Sequence, residues 1–258
     1  MKKNPLIFIT NDDGPYTKGL DKLISIVREI TNNYLIVVPK ENRSGYGHSI
    51  TITKPIRLNK VNSNMYLCDG TPTDCVMLGL YTILKNKKPD LLISGINMGE
   101  NLANDITYSG TVCAALEGAL RNIKSIALSK ILPKDNLIDD WSSIDIYLKN
   151  IILNIFNNKI NSKHFFNINF PNINYKNIVD IKITTLSTRK PMGKFISRKD
   201  AKNIPYFWLT TDRYSPNIHK KDSDIWAIEN KYISISPLNT TMAEIKDLKF
   251  YKAKFEKN

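Results

Sequence analysis

Four short polar blocks carry the residue types from which a catalytic site can be built. The first is Thr10-Asn-Asp-Asp-Gly14, directly after the apolar residues 6–9. Adjacent carboxylates repel, so bringing Asp12 and Asp13 together is costly unless a cation sits between them. Asn, Asp and Gly also favour turns, which makes a plain turn ahead of a helix the alternative. Two acids at the end of a buried strand favour the metal. The second block, Glu41-Asn-Arg-Ser-Gly-Tyr-Gly-His-Ser49, offers hydroxyls, an amide, one guanidinium and one imidazole. Taken alone it is also what an ordinary polar loop looks like. The third, Ser94-Gly-Ile-Asn-Met-Gly-Glu-Asn101, follows another apolar run, and the fourth, Tyr108-Ser-Gly-Thr111, opens a helical pattern. A helix start presents free backbone N–H groups and the positive end of its dipole, which suit phosphate. Ser109 and Thr111 can add hydroxyl donors, and Ser109 also reads as an ordinary N-cap; the two roles are compatible. Carboxylate, amide and hydroxyl oxygens together prefer a hard cation, magnesium or manganese, over zinc.

Other patterns fail. Gly14-Pro-Tyr-Thr-Lys-Gly19 has the spacing of a phosphate loop, but Leu20 stands where lysine is required. Gly45-Tyr-Gly47 lacks the third glycine of a dinucleotide fingerprint, because Ile50 holds that place. The three histidines, His48, His164 and His219, are far apart and lack zinc-site spacing. Cys68, Cys75 and Cys113 form no CxxC pair, and an odd count argues against a disulfide framework.

The elements that must position these blocks follow from periodicity. Residues 6–9 form a short continuous apolar run, as a buried parallel strand requires, and residues 34–39, 90–94 and 125–129 read as three further strands. Between them, residues 19–30 place Leu20, Leu23, Ile24, Val27 and Ile30 on one helix face, and residues 110–120 form a small-residue helix. Thr71-Pro-Thr-Asp74 reads as a helix start with a capping box. Residues 51–68 alternate loosely and read as extended excursions. Strand, helix, strand, repeated, predicts α/β architecture: a parallel sheet with helices on both faces. Ligands then sit beyond the carboxyl ends of the strands, where all four polar blocks fall. Past residue 131 the rhythm changes. A helix is expected over about 140–156, strands over 165–170, 181–186, 206–209 and 232–236, and a last helix from about Thr240. Residues 187–205 are polar and basic, too poor in apolar side chains for a core of their own, and read as a projecting arm.

The 258 residues suffice for one large α/β domain. Lys and Arg number 37 against 24 acids, a net charge of +13. Such a field attracts polyanions and phosphorylated metabolites alike, and a lysine-, isoleucine- and asparagine-rich coding bias accounts for it equally well. A non-enzymatic nucleic-acid binder is the rival from another class, yet no helix-turn-helix, RNP or zinc-finger pattern is present. The apolar stretch near the start is too short for a signal peptide, and no run approaches the ~18 residues of a membrane span. A soluble, cytoplasmic protein is expected, with no membrane partner.

Together, TNDDG, RSGYGHSIT, GTPTDCV, SGINMGEN, YSGTVCAALEG and the late ISISPL occur in the order in which they stand in the SurE (survival protein E) family, which the chain resembles over nearly its whole length. That family comprises metal-dependent nucleoside 5'-monophosphate phosphatases. The resemblance implies metal ligands at Asp12, Asp13, Ser44 and Asn97, holding one magnesium or manganese ion per subunit. It implies phosphate-side groups at Gly45, Asn101, Ser109, Gly110 and Thr111. It also implies a Rossmann-like core with a β-hairpin and a C-terminal helix exchanged between subunits of a homodimer or homotetramer. On this view residues 1–258 form one domain, with a core of about 1–180, an arm of about 181–210 and a C-terminal strand and helix of about 230–258. Asp200-Ala-Lys-Asn203 stands where the family has an aspartate-proline-arginine-glycine turn, and Asn203 can take the left-handed place of glycine. Asn230-Lys231 stands where a glycine usually precedes the late strand.

The expected activity is therefore that of a 5'-nucleotidase, with an exopolyphosphatase or a broad phosphomonoesterase at the same site as the alternative. Attack at phosphorus falls either to a metal-activated water or to one of the catalytic carboxylates, Asp12 or Asp13. His48 is either a proton donor to the leaving group or a structural part of its loop.

Overall fold

Uninterrupted apolar runs become the central strands, because a strand covered on both faces needs apolar side chains on both. The computed structural model describes residues 4–85, 87–133, 138–161, 164–189, 193–210, 219–241 and 248–255. The first half contains β1 (Ile7–Thr10), α1 (Lys18–Arg28), β2 (Tyr34–Pro39), β3 (Leu58–Lys60), β4 (Met65–Cys68), α2 (Pro72–Leu78) and β5 (Leu91–Met98). It continues through α3 (Gly110–Leu120), β6 (Ser125–Lys130), α4 (Ser142–Asn157) and β7 (His164–Phe170). The remainder holds β8 (Ile181–Ile183), β9 (Lys194–Lys199), β10 (Pro205–Thr210), α5 (Asp224–Glu229), β11 (Ile233–Asn239) and α6 (Leu248–Phe255).

The main sheet has nine strands in the order β3-β4-β2-β1-β5-β6-β7-β11-β8. From β4 to β7 every pairing is parallel, whereas β11 runs antiparallel to β7. Alternate residues of β1 face opposite layers. Ile7 and Ile9 pack with α1 and α4, and Phe8 packs with Cys75 and Val76 of α2 and with Ala114 of α3. Helices thus cover both faces, as the strand–helix alternation requires. The capping box at α2 forms as expected: Thr71 accepts from the Asp74 N–H and Asp74 accepts from the Thr71 N–H, at 3.1 and 2.8 Å.

The third central strand runs past its expected end at Ser94 to Met98. Its register against β6 shifts between Ser94 and Asn97, and the strand continues beyond the irregularity. Gly95 sits at that break with φ +136°, and a Cβ there would lie 2.4 Å from the Leu128 carbonyl oxygen, so only glycine fits. The loosely alternating residues 51–68 supply β3 and β4, which extend the sheet beyond β2.

β9 and β10 form a separate antiparallel hairpin whose side chains are almost all exposed. Asn203, at φ +65°, takes the left-handed position in its turn, and Lys231, at φ +66°, does so before β11. Ile181–Ile183 instead joins the main sheet beside β11. Two basic residues of the expected arm are paired within the fold: Lys182 with Asp222 at 2.8 Å on the surface, and Arg189, buried, with Asp105. Lys190 lies outside the described residues. The last helix is seen over Leu248–Phe255, with residues 242–247 outside the described set. Among the described residues no helix is long and apolar enough to cross a membrane.

Candidate functional site

The carboxyl ends of β1 and β5, the loop after β2 and the start of α3 converge on one cleft. Parallel pairing aligns Thr10 with Ser94, so the residues that follow each strand emerge side by side. The cleft encloses about 600 Å³ and is lined by Asp12, Ser44, Gly45, Asn97, Asn101 and Ser109, with Glu100 and Asp105 as further acids and Tyr108, Leu132 and Leu209 beside them. Six residues singled out in sequence, spread over nearly a hundred positions, thereby share one cavity.

Asp12 is buried, and its Oδ1 accepts a hydrogen bond from the Thr111 hydroxyl. Gly110 packs directly on it: a Cβ at that position would meet the Asp12 Cβ at 2.8 Å. Burial pushes the Asp12 carboxyl up, and hydrogen bonds from the Thr111 side chain and from the backbone at Thr111 and Gly110 only partly oppose this. Thr111 therefore serves Asp12 directly. Asp13 adjoins the cleft, with its Oδ2 accepting from the Met98 N–H and its Oδ1 from the Asn42 amide, each at 3.2 Å. Burial first, and then the charge of Asp12, push the Asp13 carboxyl up to about 6.

Asn42 also accepts from the Ser44 N–H at 2.9 Å, so one side chain fixes both Asp13 and the start of the Ser44–Gly45 turn. The Arg43 N–H donates to the Asp12 carbonyl at 2.7 Å, tying this loop to the end of β1. His48 is not among the cleft-lining residues. Its Nε2 lies 2.9 Å from Glu117 Oε2, two turns into α3, and Glu117 also pairs with Arg121. The imidazole thus fastens the loop to the helix.

On the opposite side Asn97 Nδ2 donates to the Gly99 carbonyl at 2.8 Å. Asn101 is held by a network that the polar blocks alone did not reveal. Its N–H donates to Asn169 Oδ1 at 2.9 Å, its carbonyl accepts from Asn167 and Asn169, and its own amide donates to Ser129. Asn167 and Asn169 are fully buried on β7, and asparagines at alternate positions of an apolar strand were the available signal.

Behind this loop β6 ends in Lys130, whose carbonyl accepts from the Gly99 N–H at 2.9 Å and whose side chain is completely buried. Its ammonium donates to Asp139 at 2.6 Å and Asn172 at 2.7 Å. Burial alone would raise the Asp139 carboxyl, but hydrogen bonds from Lys130, Lys18 and Trp141 outweigh it and hold the group well below the usual range. Breaking a buried pair by removing one partner costs about 3–5 kcal/mol. Asp139 keeps a third of its side-chain exposure, which favours the lower end. Asp139→Asn is therefore expected to lower Tm by roughly 6–12 °C, at about 2–4 °C per kcal/mol for a chain of this size. The same pair stabilises fully above about pH 4 and fades as acid titrates the lowered carboxylate. A calorimetric scan at neutral pH showing an unchanged Tm would remove this anchor from the account.

The donors around Asp12 and Asp13 are oxygens throughout. Among the described residues no group of three or more His, Cys, Asp or Glu is placed to hold a metal ion, so a cation beside Asp12 and Asp13 would rest on those two carboxylates and neutral oxygens.

The family model described as "Survival protein SurE" matches residues 7–192. The chain is 34% identical over 249 residues to a protein of Aquifex aeolicus named 5'-nucleotidase SurE, covering 96% of this chain and 97% of that relative. It is 36% identical over 249 residues to a protein of the same name from Paramagnetospirillum magneticum, covering 96% and 95% of the two. The crystal structure of the SurE protein from Aquifex aeolicus superposes with a TM-score of 0.83 at 35% identity, over 97% of this chain and 99% of that one. The fold, the order of the four polar blocks and these full-length matches agree: the chain belongs to the SurE family.

Proposed function

We propose that this protein is a 5'-nucleotidase, a hydrolase that splits nucleoside 5'-monophosphates into nucleoside and phosphate with the aid of one divalent cation. The observation that carries the reading is the shared cavity: Asp12, Ser44 and Asn97 line it beside Asn101 and Ser109, while Asp13 adjoins it. Relatives of the same length bear the name 5'-nucleotidase. The donor set fits a hard cation. Burial raises both carboxyls, and the charge of Asp12 raises Asp13 further, a cost that a bound cation relieves. Asp12, Asp13, Ser44 and Asn97 would hold magnesium or manganese. Such an ion supplies charge neutralisation at a phosphoryl oxygen and acidifies a bound water.

The chain's own groups do the rest. Asn101, fixed at its backbone by Asn169, presents a positioned amide, and Ser109 caps the start of α3 at the cleft wall, where the helix dipole favours negative charge. Gly45, at φ +80° with nothing within 4 Å of a Cβ, leaves room for an oxyanion to approach the backbone. Gly110 and Thr111 hold Asp12 in place beneath it. A cytoplasmic homodimer or homotetramer with no stable nucleic-acid partner completes the proposal.

The test is phosphate release from nucleoside monophosphates and from polyphosphate, with chelator and after return of single metals. Chelation should abolish release, and magnesium or manganese should restore it far better than calcium, whose larger coordination shell suits this sparse ligand set poorly. Full rescue by calcium, or release indifferent to chelator, would defeat the ligand set. Release from polyphosphate alone would replace the nucleotidase with the exopolyphosphatase.

A further inference from the structure

We propose that Arg189 and Asp224 are positioning residues for the phosphate side of the cleft, an inference that rests on reading the cleft as a phosphate site. Residues 102–108 connect Asn101 to Ser109, and nothing in the main sheet's ladder holds that stretch. Two buried charged side chains from distant parts of the chain converge on it instead. The Arg189 side chain is only 6% exposed, and its guanidinium pairs with Asp105, itself 4% exposed. The Arg189 N–H donates to Asn104 Oδ1 at 3.3 Å.

Asp224 is fully buried at the start of α5. Its Oδ2 accepts from the Ala103 N–H at 2.7 Å, while its Oδ1 accepts from Ser187 at 2.7 Å and Ile225 at 2.8 Å. Ala103 is wholly buried at φ +53°, a conformation disfavoured for a residue with a side chain. It persists where surrounding contacts over-determine it. Asp224 therefore bridges Ala103 to the segment that leads, through Arg189, toward the hairpin. Neither Arg189 nor Asp224 lines the cleft. Asp105, the partner of Arg189, does line it, so Arg189 acts on the cleft through that side chain as well as through the backbone between Asn101 and Ser109.

A misplacement of about 1 Å can cost on the order of 10²-fold in a reaction that depends on positioning. The proposed cation ligands follow β1, lie on β5 and stand in the loop after β2, whereas Arg189 and Asp224 bond to residues 103–105; that stretch meets the loop after β2 where the Gly47 N–H donates to the Tyr108 carbonyl at 3.0 Å. Loosening the clamp should thus weaken the grip on phosphate and leave cation binding intact.

The experiment compares wild type with Arg189→Met, Arg189→Lys and Asp224→Asn. It measures manganese affinity by titration calorimetry, inorganic phosphate affinity in the presence of manganese, and steady-state turnover of a nucleoside monophosphate. Arg189→Met and Asp224→Asn should weaken phosphate binding at least tenfold and raise KM in parallel, with a smaller change in kcat and manganese affinity within twofold of wild type. Arg189→Lys, which keeps the charge but loses the planar fork, should recover part of the loss. Unchanged phosphate affinity in the folded variants overturns the proposal, as does joint loss of manganese and phosphate, the mark of a merely structural role. If Arg189→Met does not fold, Arg189→Lys and Asp224→Asn decide on the same criteria. A wild type that binds phosphate but hydrolyses no nucleotide refutes the proposed function and leaves the clamp to be judged by phosphate affinity. A wild type that binds no phosphate overturns both.

Discussion

Asp13→Asn is expected to cut phosphate release from nucleotides by roughly 10³-fold or more while making the metal-free protein more stable at neutral pH. The first half follows from the proposed role: an amide cannot supply the charge that holds a cation and, through it, the developing phosphoryl charge. The second half follows from geometry alone. Burial and the neighbouring Asp12 push the Asp13 carboxyl from 3.8 to about 6, so its ionised form is disfavoured in the folded state. A shift of that size corresponds to roughly 3 kcal/mol. The substitution does not recover all of it, because Asp13 accepts from both Met98 and Asn42 and an amide oxygen facing one turns an N–H toward the other. A net gain of about 1–2 kcal/mol remains.

The sign with pH is fixed by the same shift. Between about pH 4 and 6 the folded wild type binds a proton at Asp13 that the unfolded chain has released, so stability falls as pH rises through that window. Chelated wild type should therefore melt higher at pH 5 than at pH 7.5, and Asp13→Asn should show a flatter profile. Asp12→Asn should lose activity as well but gain no stability, since Asp12 accepts from Thr111 inside the core. Thermal scans in chelator, paired with a phosphate-release assay, check both halves. Near-wild-type turnover in Asp13→Asn would remove that carboxylate from the mechanism.

Much of this site was legible because its parts sit at strand ends and helix starts, where short-range chemistry dictates both structure and ligand geometry. Apolar runs fixed β1, β2 and β6 almost to the residue, and Thr71 and Asp74 announced the start of α2. Local pattern says nothing, however, about which side chains meet across the sheet. His48 looked as available to a leaving group as to its own loop, and only the fold brings Glu117 to 2.9 Å from it. Arg189 read as one more arm cation because its partner, Asp105, lies 84 residues away. The block that holds Asn97 reads as following its strand, whereas β5 continues past the register shift between Ser94 and Asn97. The Asn167–Asn169–Asn101 network was hidden for the same reason, as buried amides reveal their purpose only through their partners.

Removal of residues 193–210, with a short glycine linker in their place, is expected to convert an oligomer into a monomer. Among the described residues β9 and β10 pair only with each other, and an isolated two-stranded ribbon is marginal in water. This one is not a polar loop either: Phe195 is 66% exposed, Phe207 63% and Trp208 67%. α6 adds Phe250 and Phe255, exposed by 60% and 82%. Large aromatic side chains left this exposed mark an interaction site. A second copy of this chain is the occupant that the proposed homodimer or homotetramer supplies, and closed symmetry would bury both copies' hairpins at once. Lys194, Arg198, Lys199 and Lys202 line the same hairpin, and Leu209 reaches the cleft. The hairpin's charge is therefore placed to draw an anionic substrate inward, and kcat/KM should fall as salt screens it. Starting the deletion after residue 192 leaves Arg189 and its buried pair in place, and because the deletion also removes Leu209 from the cleft lining, assembly is read by sedimentation and not by activity. The double substitution Phe207→Ser, Trp208→Ser should act in the same direction without shortening the chain. Sedimentation velocity reads the outcome directly: a deletion variant that sediments as wild type does, after allowance for its lower mass, shows that the hairpin holds no second subunit.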